Sequence, residues 1–307
     1  MSRQIGGVLA PIATPFQAKS GDLDLEHTAS NAQQLLAQGL DGIVAAGSTG
    51  EAPLLDPDEQ RRLVAALRAV VPRDRWLLAG TGAESTRAAI ALTRAAAAEG
   101  ADAVLVRPPS YYSAGHSTES IAAYFRAVAD ASPVPVLVYN IPKYTKLPIA
   151  PELTAELAAH GNIAGAKDSS GDPKNLAEYR SAVPRWALLV GSGSLLVTAL
   201  ELKCQGGIMA VACFAAQLSA TIFAAAQAGD WARARELQVR LASLDKEIVG
   251  KLGPAGIKAA MDCVGLYGGP VRDPLAPLAA PDRDRIGQLL APIQPGPSRQ
   301  ELEAGHF

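Results

Sequence analysis

Aromatic residues make up only 5% of the 307-residue chain and charged residues 19%. The 28 Lys and Arg nearly cancel the 30 Asp and Glu, for a formal charge of −2, and no basic run stands out. The sequence therefore lacks an electrostatic footprint for nucleic acid or an anionic membrane. Cysteine is limited to Cys204, Cys213 and Cys263, with no C-x-x-C pair, which argues against a disulfide framework and suits a reducing compartment. The four histidines, His27, His116, His160 and His306, form no H-x-x-x-H pair, so no zinc site is indicated and metal dependence is disfavoured. Long apolar runs are missing as well: residues 63–71 are interrupted by Arg68 and too few to span a bilayer. Residues 1–16 hold no cationic segment leading into an apolar run, so no signal peptide is expected. The expectation is a soluble, cytoplasmic protein with neither nucleic-acid nor membrane partners.

What the chain does have is apolar residues, 49% of the total, ample for a large core. Eight short runs read as strands: 7–13, 42–46, 76–79, 103–106, 135–139, 163–166, 187–190 and 208–211. They are apolar throughout rather than alternating, as parallel strands covered on both faces should be. Amphipathic helical stretches lie between them. Asp56-Pro57-Asp58-Glu59 offers an N-cap, a proline in the first turn and acidic residues beside it. Ser85 can cap the next helix, which should stop at Gly100, and Gly39 and Gly161 should end two others. An open doubly wound sheet would show a glycine-rich turn after its first strand, whereas Thr14-Pro15-Phe16-Gln17 follows here. The predicted fold is α/β, a (β/α)8 TIM barrel with a C-terminal helical extension. We expect the barrel to occupy residues 1–215 and the extension, packed on it, residues 216–307. The extension shows helical patterns around Gly229-Asp230, at 254–264 and at 282–290, and residues 292–307 read as a frayed tail.

In such a barrel the working residues lie at the carboxyl ends of strands. Only nine residues are lysine, and Lys167 directly follows the apolar run 163–166. Burial there would lower its pKa from ~10.4 toward the ~7–8 useful in catalysis, and a neutral amine can attack a ketone to form a Schiff base. An ion pair with Asp168 at the rim is the other reading. Gly47-Ser48-Thr49-Gly50-Glu51 is either a plain strand-to-helix turn or a nest of N–H groups and hydroxyls suited to a carboxylate. Tyr139 could pack on the core, or shuttle a proton if bonded to a hydroxyl such as Ser48. Tyr111 and Tyr112 suit a site or an interface equally.

Taken in order, G-S-T-G-E at 47–51, Y-Y at 111–112, V-Y-N-I-P at 138–142 and A-K-D-S-S-G-D at 166–172 resemble the dihydrodipicolinate synthase/N-acetylneuraminate lyase superfamily. The likeness runs from about residue 6 to 290. Residues 77–86, with Gly256-Ile257-Lys258, Met261-Asp262 and Tyr267-Gly268-Gly269-Pro270, look like its 4-hydroxy-2-oxoglutarate aldolase branch. The resemblance implies that Lys167 forms an imine with pyruvate or another 2-oxo acid, and that Tyr139 transfers protons. It implies a hydroxyl relay through Ser48, a carboxylate grip by Thr49 with Gly47 and nearby amides, and a Met209 carbonyl beside the imine. Ser192 would line the distal end of the pocket. Tyr112, or else Tyr111, would reach in from a neighbouring subunit of a homotetramer, a dimer of dimers. No metal or organic cofactor is implied.

One departure bears on the substrate. Dihydrodipicolinate synthases carry an arginine shortly after Y-N-x-P, and Tyr144 stands in that place, with Lys143 able to compensate only along a changed loop path. The expectation is therefore a class I aldolase cleaving 4-hydroxy-2-oxoglutarate to pyruvate and glyoxylate. The alternatives are dihydrodipicolinate synthase of lysine biosynthesis, a sialic acid-type lyase, a sugar-acid dehydratase, or a non-catalytic 2-oxo acid sensor.

Overall fold

Seven of the eight apolar runs form strands where expected, the eighth strand is displaced toward the N-terminus, and neighbouring strands pair in parallel. The computed structural model describes residues 4–291. Its first half alternates β1 (Gly7–Pro11), α1 (Leu25–Ala37), β2 (Gly42–Ala45), α2 (Pro57–Val70), β3 (Trp76–Gly80), α3 (Thr86–Ala98), β4 (Ala103–Val106) and α4 (Thr118–Ala131). The second half continues with β5 (Val136–Asn140), α5 (Pro142–Thr145), α6 (Pro151–Leu157), β6 (Ile163–Asp168), α7 (Pro173–Ala182), β7 (Ala187–Val190), α8 (Leu196–Glu201), β8 (Gly206–Ile208) and α9 (Ala216–Gln227). The strands close in sequence order, with β8 pairing back to β1, so the fold is a (β/α)8 barrel.

Period-two alternation within each strand divides the core into two layers. Leu9, Val44, Leu78, Leu105, Leu137, Tyr139, Leu189 and Ile208 fill the barrel interior. Val8, Ile43, Leu77, Val104, Val138 and Leu188 face the helices instead. Each fully buried side chain of this kind contributes roughly 1.5–3 kcal/mol, which is why the runs are apolar on both faces.

Local signals hold at most helix ends. Asp56 caps α2 through Glu59 N–H at 2.8 Å, and the Glu59 carboxylate accepts the Asp56 N–H at 3.0 Å. Ser85 caps α3, which ends just before Gly100. Gly161 is a correction: α6 stops at Leu157, ahead of that glycine. Two strand ends also move. β6 runs on to Asp168, so Lys167 lies inside the strand rather than after it. The last strand, expected at 208–211, is Gly206–Ile208, and residues 210–213 wind into a 3-10 turn. Gly206 has φ 141°, and a Cβ there would stand 2.0 Å from the Gly7 carbonyl oxygen, so the seam closes only on glycine.

Beyond α9 come α10 (Trp231–Leu244), a π-helical turn at Asp245–Gly250, α11 (Lys251–Cys263) and α12 (Ala280–Leu290). The helix expected from 254 thus begins earlier and breaks at Gly253, φ 58° and ψ −147°, before Pro254. We retain the division at 215/216 as a proposal; α9, on its far side, packs against β1 and completes the helical ring. The tail at 292–307, with His306, lies outside the described residues. Among the described residues no helix is long and apolar enough to cross a membrane.

Candidate active site

Strand register brings the central pair together. Tyr139, Lys167 and Leu189 are Cα partners across β5, β6 and β7, and all three point into the barrel. The Lys167 Nζ donates to the Tyr139 hydroxyl at 3.2 Å and lies 4.3 Å from its ring centroid. Both residues are buried, Lys167 at 4% exposure. Asp168, one residue on, faces the other way. Its carboxylate accepts Asn140 Nδ2 at 2.7 Å and the Ser170 hydroxyl at 2.8 Å, so the alternative reading of Lys167 as the partner of Asp168 does not hold.

Above this pair opens a cavity of about 450 Å3 at the carboxyl ends of the strands. Ser48, Thr49, Tyr139, Tyr144, Lys167 and Ser192 all line it. Ser48 and Thr49 lie between Ala46 and Glu51, whose φ values of 49° and 57° are left-handed without being glycine. Such strain clusters at binding loops. The expected link from Ser48 to Tyr139 is not formed: no hydrogen bond joins them among the described residues.

Four expected residues stand elsewhere. Gly47 does not line the cavity, and its carbonyl accepts the Ala52 N–H at 3.2 Å, closing the turn. Met209 lies past the end of β8, its carbonyl accepting the Ala212 N–H at 3.0 Å, and Ala210 forms the cavity wall instead. Tyr111 and Tyr112 are 80% and 73% exposed, edge to face at 4.9 Å, outside the cavity of their own chain. Their loop is tied down by Glu84, whose carboxylate accepts the Ser110 and Tyr111 N–H groups, both at 2.9 Å. Burial pushes the Glu84 pKa up, but these donors, the Ser110 hydroxyl and Arg107 bring it down to about 2.

The distal end holds residues that sequence reasoning missed. Asp245, on the π-helical turn, accepts the hydroxyls of Ser192 and Ser194 at 2.9 and 2.8 Å and the Ser194 N–H at 2.9 Å. With its hydrogen directed at this carboxylate, Ser192 keeps lone pairs for a donor on a ligand, while the Ser194 hydroxyl also lies 3.4 Å from the Ala242 carbonyl. Lys143 and Lys246 line the same cavity and can face an anion. Lys143 therefore reaches the pocket that Tyr144 also lines, although the sequence offered this only along a changed loop path. Burial, with Tyr139 adding to it, pushes the Tyr144 phenol above its usual range. Ser194 was within reach of a closer reading of Gly191-Ser192-Gly193-Ser194, whereas nothing near Asp245 in the chain announces it. Cys213, behind Pro11, is no nucleophile: burial pushes its thiol up to about 12. Among the described residues no group of three or more His, Cys, Asp or Glu could hold a metal ion.

A closed barrel with a cavity at the carboxyl ends of its strands, a buried amine on the floor and hydroxyls on the wall, has the layout of a barrel enzyme. The chain belongs to the dihydrodipicolinate synthetase family, whose model matches residues 4–292, and is a lyase of that family. It is 37% identical over 289 residues to an uncharacterised DapA-like lyase of Halobacterium salinarum, covering 94% of this chain and 93% of the relative. It is 34% identical over 288 residues to a 4-hydroxy-tetrahydrodipicolinate synthase of Methanospirillum hungatei, covering 93% and 98%. Among solved structures, a dihydrodipicolinate synthase of Acinetobacter baumannii complexed with pyruvate superposes with a TM-score of 0.89 at 31% identity, covering 94% of this chain and 98% of that one. A prophage protein of the same family from E. coli, also in complex with pyruvate, gives 0.89 at 30% identity with the same coverage.

Proposed function

We propose that the protein is a Schiff-base aldolase acting on pyruvate-derived 2-oxo acids, with 4-hydroxy-2-oxoglutarate as its substrate. The observation that carries this reading is the buried Lys167 Nζ, 3.2 Å from the Tyr139 hydroxyl on the cavity floor. In this scheme the amine attacks the C2 carbonyl, water leaves, and a protonated imine forms. Tyr139, having given its proton to the departing water, takes the proton of the C4 hydroxyl as the C3–C4 bond breaks, releasing glyoxylate. The bonding pair passes into the imine as an enamine. Protonation at C3 and hydrolysis then return pyruvate and free Lys167. Ser48 and Thr49 hold the C1 carboxylate. The protonated imine is itself the electron sink, so the scheme calls for no metal or organic cofactor.

The distal cavity supports the substrate. Ser192, its hydroxyl held by Asp245, lines this end, and Lys143 and Lys246 can face the far carboxylate. A second reading, 4-hydroxy-tetrahydrodipicolinate synthase, is favoured by the names of relatives such as that of M. hungatei. Against it stands Tyr144. A tyrosine gives one neutral donor where an arginine gives two charged ones, a difference of roughly ten- to a hundredfold in affinity.

Comparing kcat/KM for cleavage of 4-hydroxy-2-oxoglutarate with that for condensation of pyruvate and aspartate semialdehyde tests the choice. The cleavage is expected to be the faster reaction, and a faster condensation would make the protein a synthase.

A further inference from the structure

A second buried charge cluster lies behind the loop that carries Ser48 and Thr49. The Glu51 carboxylate meets Lys258 Nζ at 2.5 Å, their side chains 0% and 2% exposed, and neither residue lines the cavity. Glu51 also accepts the Arg272 N–H at 2.8 Å. Lys258 donates to the Pro270 carbonyl at 2.6 Å and sits 4.4 Å from the Phe16 ring centroid, with the Arg272 guanidinium 4.2 Å from the same ring. Arg272 in turn holds Glu59 by two hydrogen bonds of 2.6 and 2.7 Å. Glu59 belongs to the cap of α2, the helix that follows the loop.

We propose that Glu51 and Lys258 are positioning residues for the carboxylate-gripping loop, so that the C-terminal helical segment governs how tightly the 2-oxo acid is held. A non-glycine residue persists in the left-handed region only where its surroundings hold it there. At Glu51 the backbone bonds to Ser48 and Leu54 are local, but both side-chain contacts, Lys258 and the Arg272 N–H, come from a segment more than 200 residues away in sequence. Both ends of the unit are clamped by that segment: Glu51 at the loop and Glu59 in the cap. Charge gives a second reason. An unpaired carboxylate this deep, two residues from Thr49 where the substrate's carboxylate is received, would be costly and would repel it. Lys258 cancels that charge without entering the cavity. Its chain neighbour Ile257 does line the cavity, so one turn of α11 serves both sides of the loop. The close fit extends to Gly268, where a Cβ would stand 2.0 Å from the Lys258 carbonyl oxygen.

The proposal rests on the pyruvate imine, and the test separates the two. Wild-type protein, Glu51→Gln, Lys258→Met, the double variant and Lys258→Arg are titrated with pyruvate in the presence of borohydride, with thermal unfolding recorded in parallel. The single variants are expected to need ~10- to 100-fold more pyruvate for half-maximal trapping, with the rate at saturation nearly unchanged. Lys258→Arg should restore most of the affinity. The double variant leaves no unpaired charge and carries the test where the single variants fail to fold; Arg272→Gln, which loosens the same clamp from its more exposed end, carries it where the double variant fails too. Folded variants with wild-type half-saturation would overturn the positioning role alone. Absence of trapping in the wild type would overturn the imine reading and this proposal with it.

Discussion

Tyr139 illustrates how a single side chain is assigned by its neighbours. Its ring packs with the interior leucines, while its hydroxyl meets Lys167, so packing and the proposed chemistry share one residue. Tyr139→Phe should keep the packing and remove the proton carrier. The expected outcome is a fall in kcat of roughly 10²- to 10⁴-fold with little change in pyruvate half-saturation, read from steady-state kinetics. An unchanged kcat would remove Tyr139 from the reaction. That Lys167, Tyr139, Ser48 and Thr49 line one cavity was legible because strand ends can be found from apolar runs, and barrels place their pockets there. Asp245 was not legible: it reaches Ser192 across 53 positions, through a helix turn whose sequence looks ordinary. Met209 was assigned by resemblance and Gly47 as part of a possible nest of N–H groups, and the carbonyl of each accepts a turn-closing N–H.

At the scale of elements, strands were readable wherever side chains on both faces are apolar, and β4 and β7 fall where their runs predict. β8 was misplaced because its first two residues, Gly206 and Gly207, have no side chain to signal burial. Their emptiness is the point, since β1 and β8 meet there. Gly206→Ala should destabilise the fold by ~2–4 kcal/mol, through backbone strain together with the clash against Gly7. Urea unfolding measures it, and a loss under ~0.5 kcal/mol, the range of ordinary surface substitutions, would mean the seam has slack. The π-helical turn at 245–250 escaped notice for a different reason. Its residues keep a helical apolar pattern up to Gly250, and one extra residue per turn leaves no mark in composition.

For the whole molecule, the exposed pair Tyr111 and Tyr112 is the outstanding surface feature. We propose that it is covered by a second copy of the chain, which would also bring Tyr112 toward a neighbouring cavity in a tetramer. Sedimentation should show an assembly larger than the 31.7 kDa chain, shifted to smaller, less active species by Tyr112→Ala. A fully active monomer would contradict this.

The central claim, an imine between pyruvate and Lys167, is tested most directly by borohydride trapping followed by peptide mapping, because reduction turns a transient imine into a stable secondary amine. The mass of a reduced pyruvate adduct is expected on the peptide containing Lys167 and should be lost in Lys167→Ala. Labelling that persists in that variant, or wild-type protein that takes up no label, would contradict it.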